Sequence, residues 1–197
     1  MSAPTVDYFY SFRSPYSYLS APRAFALADD FKIDLRFHGV IPMMMRGESV
    51  PTAKRLHTLR DVKREADRLG MPFGRIHDPL GEAATRCLAV SEYAVDRRLA
   101  REFVLSAGLG IWGEAVDPAA DEGLRLIAER AGLDWPGCQA ALSDAGTAER
   151  VEANTQRLVE IGHWGVPVFV FEGEQFWGQD RIEDLALVLE EAGLQRA

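Results

Sequence analysis

The sequence is poor in cysteine and lacks several motifs that mark common cofactor chemistries. Its 197 residues include two cysteines, Cys87 and Cys138, which stand far apart and form no C-x-x-C motif. Isolated cysteines usually pack as small apolar core residues, so we expect that role rather than a redox or metal-binding one. No group of His, Cys and Asp has metal-ligand spacing. A phosphate-binding loop and a dinucleotide-binding fingerprint are also missing.

Long apolar runs and an excess of basic residues are absent as well. No segment approaches the roughly 20 apolar residues that a membrane span needs. Residues 1–12 lack the basic and apolar regions of a signal peptide. The net charge is -8, so nucleic acid or an anionic membrane would be repelled. We therefore expect a cytoplasmic protein that binds neither nucleic acid nor membranes.

The pattern at the start of the chain predicts a β-α-β unit. Residues 6–10 and 32–40 alternate and are rich in residues that favour strands. Between them, Ser14 followed by Pro15 has the residue types preferred at the N-cap and the first position of a helix. We therefore predict a strand, a helix that begins at Ser14-Pro15, and a second strand.

The middle of the chain, roughly residues 50–162, has helical patterns and no candidate strand. Apolar residues recur there at steps of three or four, as on the buried face of a helix. The predicted helices cover residues 56–69, 84–107, 124–131 and 147–161.

Strand patterns return near the C-terminus. Residues 166–171 form an apolar run, and residues 175–177 follow a Gly173-Glu174 turn, which together predict a hairpin. The stretch Asp180-Arg181-Ile182-Glu183 is typical of a capping box and predicts that a last helix opens there.

This order of elements, β-α-β, a helical block and then β-β-α, is that of a thioredoxin-like α/β fold with a large all-helical insertion. Hydrophobic residues make up 47% of the chain, which suffices for a full core. We predict a thioredoxin-like domain from residues 1–48 and 163–197, and an inserted helical domain from residues 49–162.

The motif Ser14-Pro15-Tyr16-Ser17 lies where thioredoxin-like folds carry their working residues, at the start of the first helix. Backbone N–H groups and the helix dipole stabilise a thiolate there. Neither serine bears sulfur, which argues against a dithiol oxidoreductase. A serine hydroxyl can instead donate a hydrogen bond to a thiolate brought by a ligand, and glutathione is the obvious candidate. The alternative is that Ser14-Pro15 is only a helix cap.

Gly165-Val166-Pro167 enters the third predicted strand, where this plan places a cis-proline opposite the first helix. That placement leaves the Val166 backbone free to pair with an extended peptide such as glutathione.

A third polar feature, Gln179 and Asp180, stands before the last predicted helix. Asp180 can bind the ammonium of a γ-glutamyl group, and the helix N-terminus can bind its carboxylate. The alternative is that Asp180 simply caps the helix together with Glu183, and both roles can coexist.

Taken together, these features resemble the 2-hydroxychromene-2-carboxylate isomerases and the related kappa-class glutathione transferases of the DsbA-like thioredoxin superfamily. The resemblance extends over most of the chain. Its motifs are S-P-Y-S-Y-L at residues 14–19, P-x-A-K at 51–54, L-R-D-x-x-R-x-A-x-x-L-G-x-P-F at 59–73, G-V-P at 165–167 and F-W-G-Q-D-R at 176–181.

The resemblance implies roles for individual residues. It makes Ser14 the residue that activates the glutathione sulfur, and it places Lys54 near the glycyl carboxylate of glutathione or near an acidic substrate. It also implies a homodimer with its substrate pocket between the two parts of the fold. The implied glutathione site comprises Ser14, Pro15, Tyr16, Lys54, Val166, Pro167, Gln179, Asp180 and Arg181.

In the isomerases the resemblance implies reversible addition of the glutathione thiolate to an aromatic acid. The substrate ring opens, a bond rotates, and glutathione is released unchanged. Two alternatives remain at this stage: a kappa-like transferase or peroxidase that consumes glutathione, and a non-catalytic module that binds thiols or peptides.

Some positions depart from the family pattern and leave the substrate open. His57 and Gln179 stand where an aromatic residue and Asn or Ser are usual. Residues 43–45 are three methionines, which either pack in the core or a loop or form an adaptable wall for a flat substrate. His163 is a further candidate for binding an acid, although histidines in such positions are more often structural.

Overall fold

The structure, a computed structural model, describes residues 3–48 and 51–196, except for the side chains of residues 53–55. Within these ranges the chain forms a four-stranded mixed sheet and helices that pack around it. The strands are β1 (Thr5–Tyr10), β2 (Asp34–Gly39), β3 (Val168–Phe171) and β4 (Glu174–Trp177). The helices are α1 (Pro15–Asp30), α2 (Thr52–Leu69), α3 (Glu82–Asp96), α4 (Ala100–Leu109), α5 (Asp121–Arg130), α6 (Trp135–Ser143), α7 (Ala145–Glu160) and α8 (Ile182–Glu191).

The sheet has the order β2-β1-β3-β4, with β1 and β2 parallel and the other neighbours antiparallel. Strand β1 is central, and its residues Tyr8, Phe9 and Tyr10 are fully buried. The Tyr8 ring stacks on Phe169 of β3 with centroids 4.6 Å apart. The predicted β-α-β and β-β-α units are therefore confirmed, and no strand lies between β2 and β3 in the described residues.

Helix α1 begins as the sequence predicts. Ser14 is its N-cap and Pro15 its first residue. The Ser17 N–H donates to Ser14 Oγ over 3.1 Å, which satisfies one of the free donors of the first turn. The Ser14 N–H donates to Ser11 O at 2.9 Å, so the helix starts directly beyond the end of β1.

The prediction of one helix over residues 84–107 is wrong, because the chain breaks between α3 and α4. Arg98 takes a left-handed conformation with φ 59°, and the Leu99 N–H turns back to the Ala94 carbonyl at 2.8 Å. Apolar residues continue across the break, so their periodicity gave no sign of it. Helix α6 was also missed, although Asp134 caps it by accepting from the Gly137 N–H at 2.7 Å.

The prediction of a capping box before α8 is wrong. The N-cap is Arg181, and no side chain caps this helix. A turn closed by the Arg181 N–H and the Gly178 carbonyl, 3.3 Å apart, places Asp180 one residue before the cap. Its carboxylate instead accepts from Arg181 Nη2 at 3.0 Å. The structural role foreseen for Asp180 is therefore absent.

Helix α7 packs on the sheet beside β2, where Thr155 Oγ1 accepts from the Ile41 N–H at 3.0 Å. The predicted boundaries of the helical insertion, residues 49–162, stay a prediction.

Both cysteines are buried, as predicted, and neither forms a disulfide. Burial raises the pKa of both thiols, and that of Cys138 reaches about 11. Among the described residues, no group of three or more His, Cys, Asp or Glu side chains is placed to hold a metal ion. No helix in the same ranges has both the length and the apolarity that crossing a membrane requires.

Candidate active site

A cleft of about 920 Å³ opens at the N-terminus of α1. Most of its walls come from the β1–α1 turn, residues 40–46 with the short 3-10 turn Met43–Arg46, helix α2, and the segment from Trp164 to Asp180 around β3 and β4. Ile76, Asp78 and Trp112 complete the lining. The sequence-predicted residues that line it are Ser14, Pro15, Tyr16, Val166, Pro167, Gln179 and Asp180.

Ser14 lies in this cleft, opposite the proline loop. Its hydroxyl donates to the Val166 carbonyl over 3.1 Å while accepting from the Ser17 N–H. The Val166–Pro167 peptide bond is cis, as the sequence predicted. The fold therefore joins two predicted features that are far apart in the chain, and the Ser14 hydroxyl donates its one hydrogen to the Val166 carbonyl.

Ser17 has a different environment from Ser14. Its side chain is fully buried and does not line the cleft. Its hydroxyl oxygen lies 3.5 Å from the Ser11 N–H, and its carbonyl accepts from the Ser20 hydroxyl at 2.7 Å. The S-P-Y-S motif thus has one hydroxyl in the cleft and the other in the core.

Tyr16 forms the wall between α1 and α2. Its hydroxyl donates to Asp61 Oδ2 at 2.6 Å. Burial, and then the hydrogen bond and charge of Asp61, raise the pKa of this phenol well above its ordinary value, so it stays neutral. Its backbone N–H occupies the second position of α1 and has no intrahelical acceptor, which leaves a donor beside Ser14.

Gln179 is held rigidly at one side of the cleft. It is buried, and both its backbone and side-chain oxygens accept from Arg23. Its Nε2 lies 3.5 Å from Glu65 Oε2. Asp61 and Glu65 are four residues apart on α2, so both face the cleft, where Asp180 joins them. These three carboxylates form what we call the acidic wall.

The other two predicted residues are Arg181 and Lys54. Arg181 pairs with Asp180 and Asp184, at 3.0 and 2.9 Å, and is not among the residues that line the cleft. The side chain of Lys54 lies outside the described part of the structure.

Three arginines, Arg13, Arg46 and Arg68, line the cleft and were not predicted from the sequence. Arg13 binds the Asp78 carboxylate with two hydrogen bonds of 2.8 Å each, and Arg46 Nη2 donates to the Trp164 carbonyl at 2.8 Å. We call Arg13 and Arg46 the basic wall. The position of Arg13 directly before Ser14 was the one signal available.

Apolar side chains cover the surface near the basic wall. Met43 and Met44 are half-buried and line the cleft, whereas Met45 is exposed and does not. Trp164 and Trp177 pack edge to face with ring centroids 5.3 Å apart. Buried Trp112 also lines the cleft, and its Nε1 has no hydrogen-bond partner in the described ranges.

His163 lies behind this surface and not on it. Its Nδ1 is 2.9 Å from the Gly165 carbonyl oxygen, and burial lowers the pKa of its imidazole. Its ring packs against Trp177, so it supports the proline loop.

Comparison with known proteins identifies the family. A model described as the DSBA-like thioredoxin domain matches residues 5–190. The chain belongs to the DsbA-like thioredoxin family. The predicted thioredoxin-like fold with a helical insertion is thereby confirmed.

The relatives of this DsbA-like chain include isomerases. The 2-hydroxychromene-2-carboxylate isomerase of Sphingobium xenophagum is 30% identical over 192 residues, with 92% of this chain and 95% of the relative covered. The isomerase of the same name from Pseudomonas putida is 26% identical over 185 residues, with 90% of both chains covered. The resemblance inferred from the motifs is confirmed.

Solved structures agree on the fold. A 2-hydroxychromene-2-carboxylate isomerase structure superimposes with a TM-score of 0.80 at 24% identity, and the match covers 95% of each chain. The cytosolic disulfide reductase DsbM from Pseudomonas aeruginosa, solved with GSH, gives a TM-score of 0.70 at 18% identity over 95% of this chain and 98% of that one.

In this DsbA-like protein both serine positions of the motif carry a hydroxyl and no thiol, and only the hydroxyl of Ser14 faces the cleft. Cys87 and Cys138 lie in the core, where burial raises the pKa of each thiol. Because thiol exchange needs an accessible thiolate, the cleft has no residue of its own for that chemistry.

Proposed function

We propose that this protein is a glutathione-dependent isomerase of an aromatic acid of the 2-hydroxychromene-2-carboxylate type. The observation that carries the proposal is the Ser14 hydroxyl, which faces Val166 across the cleft at the N-terminus of α1. Relatives of that name match this chain over nearly its whole length. This activity is the best supported because the names of these relatives and the position of Ser14 in the cleft favour the same reaction.

The residues of the cleft fit glutathione. Ser14 can turn its hydroxyl from the Val166 carbonyl to a thiolate sulfur, and the dipole of α1 favours the negative charge. The Val166 backbone, beside Pro167, can pair with the peptide in the manner of a short strand. The acidic wall can bind the γ-glutamyl ammonium, with Asp180 as the exposed carboxylate.

When bound, glutathione supplies a nucleophilic thiolate that is regenerated at the end of the reaction. Ser14 stabilises negative charge on sulfur by donating one hydrogen bond. Gln179, fixed by Arg23 and Glu65, keeps the polar side of the cleft in place. Met43, Met44 and the tryptophans provide an apolar surface for a flat ring.

Three further features belong to the same proposal. Lys54 binds the glycyl carboxylate of glutathione or an acidic substrate, and Arg181 adds positive charge near the γ-glutamyl group. The protein works as a cytoplasmic homodimer. DsbM, a neighbour of the same fold, has been solved with GSH, which makes glutathione the first ligand to test.

The activity is tested with 2-hydroxychromene-2-carboxylate and catalytic glutathione. The isomerase changes the ultraviolet spectrum of the substrate while total free thiol stays constant. A kappa-like transferase would consume free thiol with 1-chloro-2,4-dinitrobenzene or a peroxide, and a non-catalytic module would do neither. Consumption of thiol, or no reaction, contradicts the proposal.

The role of Ser14 is tested by two substitutions of the same residue. We expect Ser14→Ala to lower turnover by about 10²–10³, the usual cost of losing one hydrogen bond to an anion in the reaction. Ser14→Gly also removes the hydroxyl, but glycine is tolerated at an N-cap. It should lower the stability of the helix by only about a few tenths of a kcal/mol, whereas alanine lowers it by about 1 kcal/mol. Both variants should lose activity alike. Normal turnover in Ser14→Gly would mean that the serine acts only as a cap.

A further inference from the structure

Three carboxylates that line the cleft lie together and two arginines lie elsewhere on its lining, where the carboxylate of Asp78, paired with Arg13, lines the cleft as well. Asp61, Glu65 and Asp180 make up the acidic wall, and Arg68, which also lines the cleft, is paired with Glu65. The basic wall, Arg13 and Arg46, adjoins the methionines and Trp164. If glutathione places its ammonium at the acidic wall, the basic wall faces whatever else enters the cleft.

Arg13 is the arginine whose guanidinium is most clearly prepared for a ligand. Its Nε and Nη2 atoms donate to Asp78 Oδ1 and Oδ2, each at 2.8 Å, which occupies one edge of the planar group. On the remaining edge, Nη1 donates to the thioether sulfur of Met44 at 2.8 Å. The arginine side chain is 20% exposed, so most of its surface is already removed from water.

We infer that Arg13 binds the carboxylate of the second substrate and thereby selects acids. This inference rests on the proposed function and deepens it, since it assigns the recognition of the acid group to one residue.

The two possible acceptors of a hydrogen bond from Arg13 Nη1 differ in strength. A thioether is a weak hydrogen-bond acceptor, and methionine changes rotamer at little cost. A carboxylate that displaces Met44 from Nη1 gains a charge-assisted bond and meets the free edge of the guanidinium, where two parallel N–H groups suit its geometry. Asp78 holds the other edge, so the arginine is already oriented. Because Arg13 directly precedes Ser14, a carboxylate at Arg13 lies beside the residue that holds the sulfur.

The test measures binding without turnover. We would titrate 2-naphthoate and its neutral isostere 2-naphthamide into wild-type protein, Arg13→Met and Arg13→Lys by calorimetry. We expect wild type to prefer the acid by about tenfold, a typical effect of one hydrogen bond to a charged group. Arg13→Met should abolish this preference but still bind the amide. Arg13→Lys should retain part of it, because a point charge remains without the planar fork.

Arg101→Met is the matched control. Arg101 also binds an aspartate with two close contacts, to Asp29 at 2.7 and 2.8 Å, but it does not line the cleft. This variant should keep the full preference for the acid. Unchanged preference in Arg13→Met would overturn the inference, and so would equal loss of acid and amide binding.

Glutathione binding separates this inference from the proposed function. If wild type binds glutathione but Arg13→Met still prefers the acid, only the role of Arg13 fails. If wild type does not bind glutathione, the proposed function fails, while the two naphthyl ligands still report on Arg13.

Discussion

Ser14 and Ser17 belong to one short motif, yet their surroundings differ completely. Ser14 faces the cleft at a helix N-terminus, and Ser17 is sealed in the core. The position of Ser14 opposite Val166 was predictable, because both features sit at fixed points of a fold that the element order reveals. The pairing of Arg13 with Asp78 was not, since a contact between residues so distant in sequence leaves no local pattern.

The anion-stabilising character of this position can be measured without a ligand. In Ser14→Cys we expect the pKa of the new thiol to lie below the ordinary value of about 8.5, because the α1 dipole and the Ser17 N–H favour the thiolate. The rate of alkylation by iodoacetamide as a function of pH measures this pKa. Cys87 and Cys138 contribute little background, because both are buried and the pKa of each is raised.

Ala192→Cys provides the matched comparison, since Ala192 is exposed at the C-terminal end of α8, where the dipole disfavours negative charge. The new thiol there should titrate at or above the ordinary pKa. Equal pKa values at the two positions would contradict the electrostatic account of the cleft.

At the scale of elements, periodic helices were predicted well and their ends poorly. The break after α3 was missed because Arg98 adopts a left-handed conformation without a glycine to signal it. The cap of α8 was misplaced because Asp180 and Glu183 have capping-box spacing, while the turn from Gly178 to Arg181 places the aspartate outside the helix. The spacing of residues in the sequence alone does not show whether a residue belongs to the helix or to the turn that precedes it.

Asp144, which caps α7, can be compared with Asp180, which does not cap α8. Asp144 caps α7 by accepting from the Thr147 hydroxyl at 2.8 Å and its N–H at 2.7 Å, and these bonds lower its pKa below 3.8. A lowered pKa means that the carboxylate stabilises the fold above about pH 4 and ceases to do so as the pH falls through that lower pKa. Asp144→Ala should therefore destabilise the protein at pH 6, and this loss of stability should shrink as the pH is lowered below about 4, as measured by urea unfolding.

Asp180→Ala is the control for that experiment. Because Asp180 is exposed and caps nothing, its removal should change the free energy of unfolding by no more than about 0.5 kcal/mol at pH 6. Glutathione affinity should fall instead, if the acidic wall binds the ammonium. A stability loss at pH 6 as large as that of Asp144→Ala would restore Asp180 as a structural residue.

At the scale of the whole molecule, the order of elements was enough to predict the fold, because few arrangements join β-α-β to β-β-α in one sheet. The buried polar contacts behind the sheet were beyond such reasoning. His38 contacts Asp7 and Asn154 at 2.7 and 3.1 Å, and Asn154 donates to buried Glu92 at 2.8 Å. These contacts link β1, β2, α3 and α7, and they exist only once the tertiary structure has formed.

The cleft is likewise a property of the whole fold, since its walls come from distant segments that folding brings together. The central claim is that these walls bind glutathione and hold its thiolate against Ser14. The most direct test is a calorimetric titration of reduced glutathione, with the ultraviolet absorbance of the thiolate recorded in parallel. The account predicts binding with a rise in thiolate at neutral pH in wild type, and a loss of that rise in Ser14→Ala. No binding at millimolar glutathione, or an equal rise in both proteins, would contradict it.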